Sequence, residues 1–228
     1  MFSLWGSTLI AGCLGLSWGV SNFGHSATIG GFLDLEAHLL RFETFSQATA
    51  ARTLESAAEL SSCDTHSQRV LLLMEIPLAD AALRSGDSRE FERRVRSMEE
   101  RTRNILSCSP RDSFAWLMAF GLETQHGLVS HHSFELLTTS YETSPNEAWL
   151  ALRRMTVSVP LVLMAPAPVQ SKILDEYQNL IRHRFVDIPA RTYLNASAAI
   201  QALLQSRIDQ LDPLSQKIFS TELERLRS

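Results

Sequence analysis

The side chains whose type and spacing could do chemistry are few. His126, His131 and His132 gather around Gly127, with Asp112, Glu123 and Glu135 as the carboxylates near enough in sequence to join them. A metal centre needs three or four converging ligands held by a second layer of hydrogen bonds. No pair of these residues follows the H-E-x-x-H spacing of a helical zinc site. The cluster therefore reads as a polar loop between two helices, and no metal or cofactor is expected. A phosphate-cradling glycine loop of the Gly-x-Gly-x-x-Gly or Walker type is not found.

Two further constellations carry weight. Cys63 and Cys108 each sit beside serine at an expected helix end, with His66 close to the first. A cysteine nucleophile needs a neighbouring base, but the pair also suits a disulfide, or two unpaired structural cysteines. The closed loop would hold about 45 residues, worth about 4 kcal/mol in the chain-entropy model. Arg153-Arg154 follows Glu142 and Glu147. Internal pairing or solvation is the expectation for both arginines; the alternative has one of them, Arg153 or Arg154, face a groove and bind a carboxylate or phosphate.

Composition narrows the class. The 228 residues are 45% hydrophobic and 20% charged, with a net charge of −4. That is enough chain for a core of its own, and the mild negative charge argues against nucleic acid as a partner. Of the 21 basic residues only Lys172 and Lys217 are lysine.

No charged residue precedes Asp34, and residues 2–20 form an uncharged run with Trp5 and Trp18 near its ends. About 20 apolar residues span a bilayer as a helix, and aromatic residues favour its interfaces. Residues 1–24 are therefore expected to be a transmembrane anchor, followed by a linker over 25–32. A cleaved signal peptide suits the run less well, because it lacks a basic n-region and an A-x-A site. Ser7, Ala11, Gly15 and Gly19 recur at steps of four, the spacing of small residues through which membrane helices self-associate. Disulfides persist in the bacterial periplasm. The expected location is thus the bacterial inner membrane, single-pass, with a soluble periplasmic domain.

Residues 33–228 read as α-helix throughout, with no strand signal. The periodicity predicts helices over about 33–60, 65–85 and from Ser88 to about 107. Pro77 is expected to kink the second, Gly86 to end it, and Asp87 with Glu90 to form a capping box. Pro110 is expected to open a fourth helix that stops near Gly127. A fifth spans 131–143, and a sixth opens at Ser144-Pro145-Asn146-Glu147. Pro160 should break the apolar run 157–164. Helices over 168–185, 188–207 and 213–226 complete the chain.

Trp116 and Trp149 lie 33 residues apart, each in an Ala-Trp-Leu triplet that follows a Ser-Pro. The segment 110–145 resembles one tetratricopeptide repeat: Trp116, Gly127 and Pro145 fall at or next to positions that family favours. Phe120 and His132 replace its small residues, which implies different packing between the two helices. The second copy, from Trp149, decays at Pro160. The layout also resembles small bacterial envelope proteins found with polysaccharide biosynthesis systems, through Ser144-Pro145-Asn146-Glu147, Trp149 and Arg153-Arg154. That resemblance implies a role in polymerising or exporting a surface polysaccharide, without catalytic residues.

The expectation is an all-α chain: a transmembrane helix, then a short tetratricopeptide-like hairpin array. It would act as a non-catalytic adaptor for protein partners in the cell envelope. The alternative is an all-α enzyme or a ligand-sensing periplasmic domain, with a site near His126–His132.

Overall fold

Helix-capping chemistry sets most of the element boundaries in the computed structural model, which describes residues 46–56, 63–125, 127 and 129–228. Among these residues every regular element is a helix, and there are no strands. The chain divides between Arg94 and Val95 into two compact units.

In the first unit, α1 (Gln47–Ser56) packs against α2 (Thr65–Ser85). Ser46 caps α1 by accepting the Thr49 N–H at 3.1 Å. Asp64 caps α2, accepting the Ser67 N–H at 3.3 Å and its hydroxyl at 2.7 Å. Gly86 closes α2 with φ +74, a left-handed turn that costs glycine little. That turn lets the Asp87 N–H reach the Ala82 carbonyl at 2.9 Å. Pro77 lies inside α2 without ending it. Val70 through Met74 are buried in succession.

Helix α3 (Ser88–Cys108) starts with half of the expected capping box. Asp87 accepts the Glu90 N–H at 3.1 Å. The Glu90 carboxylate does not reach back to the cap, because Arg93 and Arg94 take it at 2.6 to 2.8 Å. The hydrogen bond from Arg93 holds Glu90 down at about 2. Arg94 also reaches the buried Glu75 of α2 at 2.8 Å.

The second unit holds the later elements, beginning with the buried stripe Val95, Met98, Thr102 and Ile105 of α3. Helix α4 (Ser113–Gln125) starts three residues after Pro110 rather than at it. Asp112 is the reason: its carboxylate accepts the Ala115 N–H at 2.9 Å. Pro110 sits in the preceding turn, where its carbonyl accepts the Trp116 indole N–H at 2.8 Å. Gly127 follows α4 with φ +77. Ser130 and Ser133 then form a reciprocal capping box for α5 (His131–Thr143). Helices α4 and α5 make a hairpin, with the Phe120 and Phe134 rings 6.1 Å apart. An aromatic pair thus fills the contact where small residues would bring the helices closer.

Helix α6 (Ala148–Ser158) runs into a 3₁₀ segment, Val159–Met164, carrying Pro160 near its start. Proline removes an N–H from the ladder, so the α geometry stops where expected. Helix α7 (Ala167–Arg182) follows. The single helix expected over 188–207 is two, α8 (Asp187–Asn195) and α9 (Ala198–Ile208). Ala196 is extended, and Ser197 caps α9 through the Ile200 N–H at 3.5 Å. Helix α10 (Pro213–Arg227) is capped by Asp212. Phe219 of α10 meets Tyr177 of α7 and Tyr193 of α8 edge-on, at 6.3 and 6.1 Å.

The inner-membrane location is corrected. Among the described residues no helix is long and apolar enough to cross a membrane. The 21 residues of α2, for example, include Arg69, Glu75, Asp80 and Arg84. The expected anchor and linker, residues 1–32 with Ser7, Ala11, Gly15 and Gly19, lie outside the described residues. Cys63, exposed in a turn, and Cys108, exposed at the end of α3, are both disulfide-bonded.

Candidate functional site

Arg154 organises the second unit. Its side chain has no solvent exposure, although arginine is seldom buried unless fully partnered. Helix α6 aims the guanidinium at the C-terminal end of α5, where the Ser140 carbonyl also accepts the capping Ser144 N–H at 3.4 Å. There Nη1 donates to the Ser140 and Ser144 carbonyls, both at 3.0 Å, and Nη2 donates to Ser144 at 3.1 Å. The remaining donors turn to α7: Nε and Nη2 reach Glu176 Oε1 at 3.0 and 2.8 Å. The guanidinium carbon also stands 4.6 Å above the ring of Tyr141, close enough for a cation–π contact.

Tyr141 completes the network. Its hydroxyl donates to the second Glu176 oxygen at 3.1 Å. Burial raises the Glu176 carboxyl, and the adjacent Arg154 charge opposes that shift. Burial, reinforced by the Glu176 charge, pushes the Tyr141 phenol well above its ordinary range. Both carboxylate oxygens and every guanidinium nitrogen have partners, so this buried pair is internally satisfied.

A cleft of about 640 Å³ opens above this network. One wall is the end of α5 and the start of α6, with Tyr141, Pro145, Ala148 and Ala151. The other is α7 and its C-terminal turn, from Lys172 to Phe185. Asp175 in that wall pairs with Arg207 at 3.0 Å. The Lys172 amine stands 6.0 Å from the Tyr141 ring centre.

The sequence-derived candidates fall in several places. Of the arginine pair, Arg154 makes the internal pairing, but with Glu176 of α7 rather than Glu142 or Glu147. Glu147 instead accepts the Trp149 indole N–H at 3.0 Å. Arg153 is half-buried, and burial lowers its guanidinium to about 10. Neither arginine lines the cleft. Trp149 also packs its ring 5.7 Å from Phe114 of α4. Pro145, exposed just after α5, sits at the cleft mouth.

His131 and His132 both lie on the exposed first turn of α5 and share Glu135, at 3.2 and 3.4 Å. His132 also approaches Glu123 at 3.8 Å. His126 lies outside the described residues. Among the described residues no three His, Cys, Asp or Glu side chains are grouped to hold a metal ion. Disulfide-bonded sulfurs are not thiolates, so Cys63 and Cys108 offer no nucleophile beside His66.

Sequence reasoning missed Glu176, Lys172 and Phe185. A signal for Glu176 was present: it lies among Ile173, Leu174, Tyr177 and Leu180, on the face that α7 buries. A carboxylate there requires a cationic partner from another helix. Comparison with family models, with curated proteins and with solved structures finds no match. The tetratricopeptide and envelope-polysaccharide resemblances therefore rest on their sequence motifs alone.

Proposed function

We propose that this chain is a non-catalytic adaptor that holds a segment of a partner protein in the cleft between α5–α6 and α7. The carrying observation is the state of the network beneath the cleft, which reaches its surface through Tyr141 and Glu176. Arg154, Glu176 and Tyr141 spend their hydrogen-bonding capacity on one another and on the end of α5. A general acid or base must present a proton-exchanging atom to its substrate, and this network presents none. It fixes the relative placement of three helices and leaves a cleft with mainly small and apolar side chains on its α5–α6 wall. A concave surface of this kind, built on rigid helices, suits recognition of a peptide segment.

A photo-crosslinking amino acid placed at Ala148, inside the cleft, tests the reading in cells of the source organism. Ser206, exposed on α9, serves as the control position. The expected result is a discrete protein adduct at Ala148 that is missing at Ser206. The same adducts at both positions, or none at Ala148, would reject the adaptor reading.

A further inference from the structure

The cleft has a shape and a charge that specify more than a generic peptide. Along α7 its lining residues are Lys172, Asp175, Glu176, Asn179, Leu180 and His183. Their spacing of three, one, three, one and three is the stripe that one helix presents to another along its length. From Lys172 to His183 the stripe runs about 16 Å at 1.5 Å per residue, or three helical turns. The facing wall carries Ala148 and Ala151 at i and i+3 on α6. Small residues at that spacing leave room for a helix to sink between the walls.

The C-terminal end of the stripe is a fixed apolar anchor. Arg184 takes φ +71, unusual for a residue with a side chain. This left-handed turn closes α7 as a Schellman-type cap: the Phe185 N–H donates to the Leu180 carbonyl and the Arg184 N–H to that of Ile181, both at 3.0 Å. Phe185 is thereby held at the end of the cleft while 42% exposed. Exposed aromatic side chains on rigid backbone are favoured anchors for a partner.

Charge selects the partner's chemistry. Glu176 is matched by Arg154 and Asp175 by Arg207. Lys172 makes no ion pair among the described residues, so the stripe carries an uncompensated positive charge at its N-terminal end. Building on the adaptor reading, we infer that the occupant is an amphipathic α-helical segment of a partner protein. It sets an acidic side chain against Lys172 and, about two turns away, an aliphatic side chain against Leu180 and Phe185.

Selection from a displayed library of random 16-residue peptides on the full chain tests this. Enriched peptides are expected to carry apolar residues at i, i+3 or i+4, and i+7, with Asp or Glu toward one end, and to gain helical circular dichroism when bound. Lys172→Glu should weaken them about five- to tenfold, as expected for replacing one solvent-accessible attraction by a repulsion. Ala148→Trp, which fills the cleft from a half-buried position, should weaken them at least tenfold. Its melting curve is compared with wild type, and the charge swap at half-buried Lys172, with its melting curve compared in the same way, supplies a second and independent test.

Peptides that are lost on Ala148→Trp but lack helical spacing, or that bind Lys172→Glu as well as wild type, would overturn this inference while sparing the adaptor reading. Enriched peptides indifferent to Ala148→Trp, or no enrichment at all, would overturn both.

Discussion

The buried guanidinium of Arg154 places Nε and Nη2 on one oxygen of Glu176, at 3.0 and 2.8 Å, while Tyr141 holds the other oxygen at 3.1 Å. Removing one member of such a pair leaves an uncompensated buried charge, at a cost of about 3–5 kcal/mol. Arg154→Met should therefore lower the unfolding free energy by about that amount, read from urea denaturation. The Ser144 carbonyl loses the Arg154 donor as well, whereas the Ser140 carbonyl keeps the Ser144 N–H. The double variant Arg154→Met/Glu176→Leu should recover part of the loss. A double variant no more stable than the single would show that the carbonyls, not the pairing, dominate.

Glu176 itself should titrate above the ordinary glutamate range, because burial outweighs the opposing Arg154 charge. The sign of the linkage follows. A carboxyl raised in the folded state costs stability when ionised, so its contribution is most favourable below the unfolded value and declines as pH rises through the folded one. Side-chain carbonyl NMR would read the midpoint directly. A midpoint at or below that of a model glutamate would contradict the burial argument.

Glu90 behaves oppositely. Held down at about 2 by Arg93, it contributes stability above the unfolded value of 4.5 and loses it as pH falls toward 2. Comparing thermal midpoints at pH 5 and pH 2.5 should give a smaller drop for Glu90→Gln than for wild type. Equal drops would mean that the exposed part of this network is screened to nothing.

Asp112 starts α4 where proline alone would have started it earlier. Asp112→Ala removes the acceptor of the Ala115 N–H and should cost about 1–2 kcal/mol, in the range of other N-cap losses. Asp112→Asn should retain most of the stability, because the amide oxygen can accept the same bond. A variant pair with equal losses would argue for the charge rather than the cap.

Cys63 and Cys108 should both resist thiol-alkylating reagents in unfolded but unreduced protein, and react after reduction. Both are exposed, so slow access would not explain protection. Labelling of either one without reductant would remove the disulfide.

Local chemistry let the sequence alone determine much of the helical layout. The bounds of Thr65–Ser85, His131–Thr143 and, within a residue, Pro213–Arg227 were readable because Asp64, Gly86, Ser130 and Asp212 act within about four residues of themselves. The break at Pro160 was equally local. Where two local signals competed, the reading failed: Pro110 outweighed Asp112, and the alanines around Ser197 masked the cap that divides α8 from α9. Arg154 was recognisable as a residue needing a partner, but that partner lies 22 positions away on a helix whose register no local rule sets. The cleft belongs to the tertiary structure as well. Lys172, Ala148 and Phe185 are unremarkable residues on separate segments, and only the packing of α5, α6 and α7 brings them to one surface. Helix-capping hydrogen bonds are written in neighbouring residues, whereas pairing between helices is decided by how the buried faces pack.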